Sequence, residues 1–368
     1  MAGATKKHPL RNSSLLSTRY SSTPMHDIIT IGSATRDIFT VAKGADIHRS
    51  PHSVSGKEAC LPLGAKIDID KLILETGGGA TNTAVSFARL GMRVAALCRV
   101  GNDYAGEEIK RVLRREGVDT RLASVDPKTQ TTHSIILLTP TGDRTILVYR
   151  GASSTMRPSS IPWNKLKSPW IYISSLGGNL NLLSRILKTA SAQHIQVAWN
   201  PGGKEISVGI KKLLPLIRRV DVLIMNEEEA MTLLSQKPLS FSPFSKGRES
   251  SSSPFGKGGL RGILKTLRLL PRRALAITQS ERGALVADAN QTLHAPALKV
   301  KTINTTGAGD AFSAGFITGL WKWNNLSLAL RLGILNSGMC VTKMGAKRGL
   351  LPRLPSKARL SQIPVMEE

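Results

Sequence analysis

The chain of 368 residues alternates short apolar runs with segments of helical periodicity. Six runs have the length and composition of buried strands: 28–32, 94–100, 170–174, 197–200, 222–225 and 274–278. Residues 81–90 and 106–116 place apolar side chains three and four positions apart and are predicted helices. The second ends before Gly117, a residue type that favours a helix C-terminus. This alternation predicts an α/β fold with a doubly wound, mainly parallel sheet flanked by helices.

Two stretches, about 38–75 and 131–150, break that rhythm. Both have the composition of β-strands, and the second contains a Thr-Gly-Asp turn. Neither contains a helical pattern. We therefore predict a small antiparallel β-sheet lid that is inserted into the α/β domain.

Two further segments have a biased composition. Residues 1–25 are basic, rich in Ser and Thr, and contain no acid, which predicts a disordered basic leader without a targeting role; a start at Met25 is an alternative explanation. Residues 236–262 are rich in Ser, Gly, Pro and Lys and are predicted to be a disordered low-complexity insertion. The structured domain is expected over 26–358, followed by a tail over 359–368.

The net charge of +26 raises the question of nucleic-acid binding. Twelve of these charges lie in three peripheral or low-complexity segments, 1–25, 236–262 and 343–368. Aromatic residues make up only 4% of the chain, and no basic motif is interleaved with them. We therefore expect no specific nucleic-acid partner, although a basic surface favours anionic substrates such as nucleotides.

The remaining bulk properties indicate a soluble enzyme-sized domain. Hydrophobic residues make up 41% of the chain, and no run approaches the roughly 18 apolar residues that a membrane span requires. Cys60, Cys98 and Cys340 are widely separated and lack metal-ligand spacing. We therefore expect a cytoplasmic protein with neither a disulfide framework nor a membrane partner.

The segment Asn304–Asp310 carries the most informative chemistry. Two glycines and an alanine leave the backbone bare before a strongly apolar helix, and Asp310 stands in its first turn. The leading N–H groups of a helix attract anions, because they lack intrahelical partners and the helix dipole is positive there. A carboxylate beside such a site indicates phosphate chemistry. The ordinary alternative is a turn followed by a helix cap.

Other polar or glycine-rich segments recur where predicted strands end or helices begin: 32–37, 77–82, 200–202, 226–229 and 278–283. Ligands of doubly wound sheets bind beyond the carboxyl ends of the strands. Each segment by itself has an ordinary explanation as a turn or cap. Their recurrence favours a common binding edge.

The order and spacing of these motifs resemble the ribokinase-like (PfkB) carbohydrate kinase family. The resemblance rests on Gly77–Ala84 with its continuation to Gly106, and on Thr305–Asp310 followed by Ala-Phe. The segments 226–230 and 341–346 also match. The similarity extends from about 26 to 355, excluding the insertion, and is specific for the family rather than for a substrate.

The resemblance implies roles on the acceptor side. Asp310 corresponds to the catalytic base, which takes the proton of the acceptor hydroxyl during its attack on the γ-phosphorus. Gly307, Ala308 and Gly309 correspond to the anion hole that stabilises the transferring phosphoryl group. Four positions correspond to the residues that hold sugar hydroxyls: Asp37, Gly77, Gly78 and Asn82.

The resemblance also implies a nucleotide side, with ATP as co-substrate and Mg²⁺ as cofactor. Asn226 and Glu229 match a motif that lies near Mg²⁺ and the phosphates and acts through water, since Mg²⁺ keeps several of its waters. Nucleotide-binding roles are implied for Asn226, Glu229, Thr278, Ser280, Gly283 and Thr306.

One position departs from the family pattern. Many relatives carry Asp where this chain has Asn304, and in potassium-activated members that Asp helps to hold the monovalent cation. Asn304 offers a carbonyl oxygen without a charge, so a K⁺ requirement is left open. Relatives are often dimers through the lid, and by analogy a homodimer through the lid is expected here.

The implied function is ATP-dependent phosphorylation of a sugar hydroxyl. D-ribose is favoured, because Gly32-Ser33 with Asp37 and the spacing from Gly77 to Asn82 look ribokinase-like. An adenosine or other nucleoside kinase and another PfkB-type sugar kinase are the alternatives. A phosphosugar kinase would need extra bases, for which Arg36 and Arg150 are candidates. A non-catalytic sugar- or nucleotide-binding protein is disfavoured by the intact Gly-Ala-Gly-Asp segment.

Overall fold

A computed structural model describes residues 25–42, 46–50, 56–138, 144–235 and 267–368. The predicted leader, apart from Met25, the predicted insertion 236–262 and the Thr-Gly-Asp turn lie outside the described residues.

The strands within the described ranges are β1 (Ile28–Ile31), β2 (Thr35–Ala42), β3 (Asp46–Arg49), β4 (Lys57–Cys60), β5 (Ile69–Gly77), β6 (Val94–Leu97), β7 (Arg99–Gly101), β8 (Ser124–Asp126), β9 (Thr132–Leu138), β10 (Arg144–Tyr149), β11 (Trp170–Ile173), β12 (Gln196–Trp199), β13 (Val222–Asn226), β14 (Ala274–Thr278), β15 (Ala284–Ala287), β16 (Thr292–Ala295) and β17 (Met366–Glu367).

The α-helices within the same ranges are α1 (Gly79–Arg89), α2 (Tyr104–Arg115), α3 (Leu180–Ala192), α4 (Gly203–Ile206), α5 (Ile210–Ile217), α6 (Glu227–Ser235), α7 (Ala308–Trp323), α8 (Leu326–Cys340) and α9 (Lys357–Ser361). None of the helices in these ranges is long and apolar enough to cross a membrane.

The central sheet has nine strands in the order β17-β16-β15-β14-β13-β12-β11-β1-β6. In this order, the six strands β6, β1, β11, β12, β13 and β14 are parallel to one another. The strands β14, β15, β16 and β17 pair antiparallel at the other edge. The parallel strands are buried on both faces, which explains why they read as continuous apolar runs. The predicted doubly wound α/β sheet is confirmed.

The predicted strand 94–100 is divided in two. β6 remains in the central sheet, whereas β7 pairs with β8 in a separate two-stranded sheet. The Arg99 side chain donates hydrogen bonds to Thr155 and Asp126 at 2.8 and 3.2 Å. This polar anchor, which lies within an otherwise apolar run, directs the second half of the strand away from the central sheet.

The lid is a four-stranded sheet in the order β10-β9-β2-β5, accompanied by the β3–β4 hairpin. The expectation of an antiparallel lid is wrong for its central pair, because β2 and β9 run parallel. Each of them is the outgoing strand of its own antiparallel pair, β2 with β5 and β9 with β10, so the two pairs meet through strands of the same direction. The lid strands begin at Thr35, and therefore Asp37 lies on the lid itself.

Helices cover both faces of the central sheet. One core cluster joins the sheet to α1, α2, α7 and α8, and the other joins it to α3, α5 and α6. Successive residues of a strand serve opposite clusters, as Ile28 and Ile29 do. Buried Asn336 on α8 donates to Ser86 on α1 and to the Ala311 carbonyl on α7, at 2.8 and 2.7 Å. This amide fixes the three helices that frame the candidate site.

Candidate active site

The predicted site segments meet at the carboxyl edge of the parallel strands. A cavity of about 90 Å³ is lined by Asn226 from the end of β13, Glu229 from the first turn of α6, Thr278 from the end of β14, and Gly309 from α7. Asn226 and Thr278 are also direct partners in the β13–β14 register. The cavity therefore joins the predicted nucleotide side to the N-terminus of α7.

The first turn of α7 has two glycines with different constraints. Gly307 has φ 81°, and a Cβ there would lie 2.4 Å from the Cβ of Ala346, so only glycine fits. A Cβ on Gly309 would meet no atom within 4 Å and would project into open space. The leading N–H groups of a helix lack intrahelical partners; here the Ala308 amide donates to the Thr305 carbonyl oxygen at 3.3 Å, just before those of Gly309 and Asp310. This turn therefore has room for an anion and donors to bind it.

Asp310 lies in the same turn and is half-buried. Its carboxylate accepts a hydrogen bond of 2.8 Å from the Asn82 side-chain amide on α1. The pKa of Asp310 is raised to about 6, mainly by burial and also by the charge of Asp37, against the lowering effects of the Asn82 hydrogen bond and the charge of Lys347. A carboxylate of this kind is mostly ionised at pH 7 and suited to accept a proton.

The acceptor side is built from β2, β5 and the start of α1. Asp37 accepts a hydrogen bond from Thr35 at 2.8 Å, and burial raises its pKa. A Cβ on Gly77 would lie 1.9 Å from an Asp37 carboxylate oxygen. Gly78 has φ 96°, and a Cβ there would lie 2.5 Å from the Ser33 carbonyl oxygen. The two glycines thus let the lid carboxylate and the α1 N-terminus approach each other closely.

Lys347 is a site residue that the sequence reasoning missed. It follows α8, is only 6% exposed, and directs its ammonium group at Asn82 Oδ1 at a distance of 2.6 Å. Burial lowers its pKa to about 8, whereas Asp37 and Asp310 raise it. The only sequence signal was its place directly after the Gly345-Ala346 motif, and a lysine in a Lys/Arg-rich segment carries no mark of burial.

Asn226 and Glu229 form a reciprocal cap at the start of α6. The Glu229 amide donates to Asn226 Oδ1 at 2.7 Å, and the Asn226 amide donates to Glu229 Oε2 at 2.9 Å. The pKa of Glu229 is raised to about 7, mainly by burial and also by the charges of Glu228 and Glu205. Such a carboxylate gains most from a nearby cation.

The same two residues fit a Mg²⁺ site in its water-mediated form. Among the residues that the structure describes, no group of three or more His, Cys, Asp or Glu side chains is arranged to hold a metal. Mg²⁺ in phosphoryl-transfer sites needs only one or two carboxylates besides water and phosphate oxygens. Glu229, with Asn226 beside it, offers that donor set next to the cavity.

Glu205 is a second residue that the sequence reasoning missed. It is buried at the N-terminus of α4 and accepts hydrogen bonds from the loops that follow β11 and β12. Its donors are the Ser175 hydroxyl and the amides of Leu176, Gly178 and Gly202, at 2.7 to 3.0 Å. The Gly-Gly-Lys-Glu sequence contained this capping signal. The carboxylate holds two strand-end loops in place beside the site.

The remaining nucleotide-side residues lie in the β14–β15 turn and before α7. Ser280 is exposed and has φ 52°, and Gly283 has φ 98° with no room for a Cβ against the Ala295 carbonyl oxygen. Thr306 is half-buried next to Gly307. The structure therefore places Ser280 and Gly283 in one tight hairpin at the carboxyl end of β14.

Asn304 was the candidate for a monovalent-cation ligand. Its side-chain oxygen accepts a hydrogen bond of 2.9 Å from the Thr306 amide, and the residue is buried. The Cys340 thiol lies 3.5 Å from the Ala346 carbonyl oxygen and 3.8 Å from that of Thr306. An uncharged amide oxygen that already accepts a hydrogen bond is a weaker ligand for a monovalent cation than a carboxylate.

Comparisons with known proteins identify the family. The family model of the pfkB family carbohydrate kinases matches residues 64–353. The ribokinase of Lactococcus lactis is 28% identical over 294 residues, which cover 78% of this chain and 87% of that protein.

Solved structures agree on the fold. The adenosine kinase of Sinorhizobium meliloti superposes with a TM-score of 0.70 at 22% identity, covering 89% of this chain and 97% of that one. A putative ribokinase II from E. coli in complex with ATP and Mg²⁺ gives a TM-score of 0.68 at 19% identity, with coverages of 91% and 98%. The chain is an ATP-dependent phosphotransferase with an alcohol group as acceptor, and it belongs to the pfkB family of carbohydrate kinases.

Proposed function

We propose that this kinase phosphorylates a hydroxyl group of D-ribose at the expense of ATP. The observation that carries the proposal is the Asp310 carboxylate, which lies in the first turn of α7, is bound by Asn82, and has Asp37 nearby. These positions support a base, an anion-binding turn and a polyol-binding carboxylate within one cleft.

The reaction follows from these positions. The acceptor hydroxyl oxygen forms a bond to the γ-phosphorus while the bond from that phosphorus to the β,γ-bridging oxygen breaks, and ADP leaves. The hydroxyl proton passes to Asp310, whose pKa of about 6 keeps the carboxylate ionised at neutral pH. The open side of Gly309 leaves room for the phosphoryl group, and the helix N–H groups stabilise its charge.

Asn226 and Glu229 would hold Mg²⁺ through water at the phosphate end. When bound, the ion would neutralise charge on the phosphates. The two residues brace each other through their reciprocal cap, which fixes the Glu229 carboxylate at the cavity.

The charges of the acceptor side favour a neutral polyol over a phosphosugar. Asp37 and Asp310 face a single ammonium group, that of Lys347, which is already bound to protein oxygens. Arg36 lies within β2 on the face opposite to Asp37, because successive strand residues point to opposite faces. Arg150 is exposed. A negatively charged acceptor would therefore meet net negative charge.

A panel of acceptors tests the proposal. ATP turnover is measured with D-ribose, 2-deoxyribose, adenosine, fructose and fructose 6-phosphate, with Asp310→Asn as the blank. The highest kcat/KM is expected for D-ribose. A preference for adenosine or fructose would overturn D-ribose as the acceptor but leave the proposed phosphoryl-transfer chemistry unchanged. Tight sugar binding without any turnover would instead identify a non-catalytic binding protein.

We further propose a homodimer formed through the lid. Leu74, Ile135 and Leu147 lie in one cross-strand row and are 48%, 37% and 51% exposed. They lie on the lid face opposite to Asp37. An exposed apolar row of this kind is typical of a contact surface. The use of ATP and the three free cysteines support a cytoplasmic location. The basic charge is spread along the chain, which supports the proposal that the protein has no specific nucleic-acid partner.

A further inference from the structure

The ammonium group of Lys347 is completely engaged by the acceptor side of the site. It donates to the Thr76 carbonyl oxygen at 2.5 Å, to Asn82 Oδ1 at 2.6 Å and to the Thr81 hydroxyl at 3.1 Å. A lysine has three N–H donors, and each of them has a partner here. These partners come from the end of β5 and the first turn of α1, so Lys347 connects the loop after α8 to both elements.

One of these bonds determines the orientation of an amide. Asn82 accepts from Lys347 through its carbonyl oxygen and donates from its amino group to Asp310 at 2.8 Å. A flipped amide would place its NH₂ group against an ammonium and its oxygen against a carboxylate. Both contacts would be repulsive, so the chemistry of the neighbours leaves a single orientation.

The same ammonium opposes the negative charge of the centre. The charged groups that act on it are Asp37, Asp310, Glu75 and Glu116. Glu116 is paired with Arg89 and Glu75 with Arg348. Within the described site, Lys347 is thus the nearby cation that lowers the pKa of both Asp37 and Asp310. The charge of Arg36 also lowers the pKa of Asp37, by a smaller amount.

We propose that Lys347 is a positioning residue of the phosphoryl-transfer centre. It fixes the Asn82 amide so that this amide holds the Asp310 carboxylate in line with the acceptor hydroxyl. This inference rests on the proposed function, in which Asp310 accepts the hydroxyl proton. Lys347 itself does not bind the acceptor, because its three donors are used within the protein.

The ammonium has a second consequence for the pH dependence of the reaction. Its positive charge favours the ionised form of Asp310. Removing that charge would raise the pKa of Asp310, and the acidic limb of kcat would move to higher pH. A lysine that served only the stability of the fold would leave the position of that limb unchanged.

Lys347→Met tests both the positioning of Asn82 and the effect on the pKa of Asp310, since it keeps a long unbranched side chain and removes the charge. We expect the plateau kcat to fall about 10- to 100-fold, as for a displaced catalytic group. The KM for MgATP should stay within about twofold, and the acidic limb should move up by at least half a pH unit. Lys343→Met, on the exposed part of the same loop, is the matched control and should resemble wild type.

A double-mutant cycle with Asn82→Ala tests the route of the effect. If Lys347 acts through Asn82, Lys347→Met should lower the plateau kcat by less than about threefold once the amide is absent. A fall as large as in the wild-type background would overturn the proposal. A folded Lys347→Met protein with unchanged kcat and an unmoved limb would overturn it as well.

A measurement without turnover separates this proposal from the proposed function and does not require a Lys347 variant to fold. ¹³C NMR of carboxyl-labelled aspartate in the unmodified protein, with Asp310 assigned by Asp310→Asn, reports the titration of this carboxyl group directly. We expect a second inflection near the pKa of Lys347, about 8, as the neighbouring ammonium loses its proton. The absence of any second inflection would contradict the contact, whatever the acceptor.

Discussion

The Asn82 side-chain amide donates a hydrogen bond of 2.8 Å to the Asp310 carboxylate, although 228 positions separate the two residues. The bond joins the first turns of α1 and α7, which bring the acceptor side and the phosphate side of the site together. In the proposed reaction, the acceptor hydroxyl and the phosphoryl group meet beside this bond.

Asp310→Asn should abolish most of the turnover. The amide keeps the size of the side chain but cannot accept the hydroxyl proton, so kcat should fall by about 10²- to 10⁴-fold. ATP binding, measured by calorimetry, should remain. Asp46→Asn, an exposed position on β3, is the control and should be as active as wild type. Near-normal kcat in Asp310→Asn would show that another group is the base.

The pH dependence of kcat should show an acidic limb near pH 6. Burial raises the pKa of Asp310 to about 6, and only the ionised carboxylate accepts a proton. Activity is therefore present above this pKa and lost as the pH falls through it. A steady-state profile from pH 5 to 8 checks this. A flat profile down to pH 5 would mean that the carboxyl titrates near its ordinary value.

The same shift predicts an effect on stability. A carboxyl whose pKa is higher in the folded than in the unfolded protein costs stability once it is ionised, above about pH 6. Asp310→Asn removes this charge, so its Tm at pH 8 should equal or exceed that of wild type. The gain should shrink towards pH 4, where the wild-type carboxyl is protonated. A lower Tm at pH 8 would contradict the electrostatic cost.

Two glycines in the same turn should respond in opposite ways to alanine. Gly307→Ala introduces a Cβ 2.4 Å from Ala346 at φ 81° and should cost about 1–2 kcal/mol of unfolding free energy or more. Gly309→Ala meets open space within a helix and should gain up to about 1 kcal/mol. Its methyl group nevertheless intrudes on the phosphoryl space, so kcat/KM should fall. Chemical denaturation and kinetics of both variants check this, and a fully active Gly309→Ala would place the phosphoryl group elsewhere.

Turnover should depend little on potassium. The Asn304 oxygen is bound to the Thr306 amide and carries no charge, so the site lacks the strong ligand that a monovalent cation needs. We expect kcat in KCl and NaCl at equal ionic strength to agree within about twofold. Asn304→Asp restores a carboxylate at this position and serves as the comparison. Strong activation of the wild type by K⁺ alone would show that backbone carbonyls suffice.

A charged residue on the lid face should disrupt the proposed dimer. Leu147→Glu places a carboxylate in the exposed apolar row, where its burial at an interface would be costly. Analytical ultracentrifugation should show a dimer for wild type and a monomer for this variant. Glu58→Gln, an exposed site on the β3–β4 hairpin, is the control. A monomeric wild type would refute the lid interface.

The sequence by itself determined the α/β class, most of the buried parallel strands and the residues of the Gly-Ala-Gly-Asp turn. These features are local: continuous apolar runs, helical spacing and bare backbone before a helix are visible within a few residues. The β14 strand, Ala274–Thr278, and the place of Asp310 in the first turn of α7 agree with what was predicted from such patterns.

Only the tertiary structure decided the remainder. The parallel pairing of β2 with β9, the division of the strand at 94–100 and the burial of Lys347 all depend on contacts between distant segments. A lysine in a basic segment looks solvated in the sequence, and only the approach of Asn82 and Asp310 makes it a buried neighbour of the proposed catalytic carboxylate. Local patterns fix which chemical groups are present, whereas long-range packing fixes their distances, their burial and hence their pKa values.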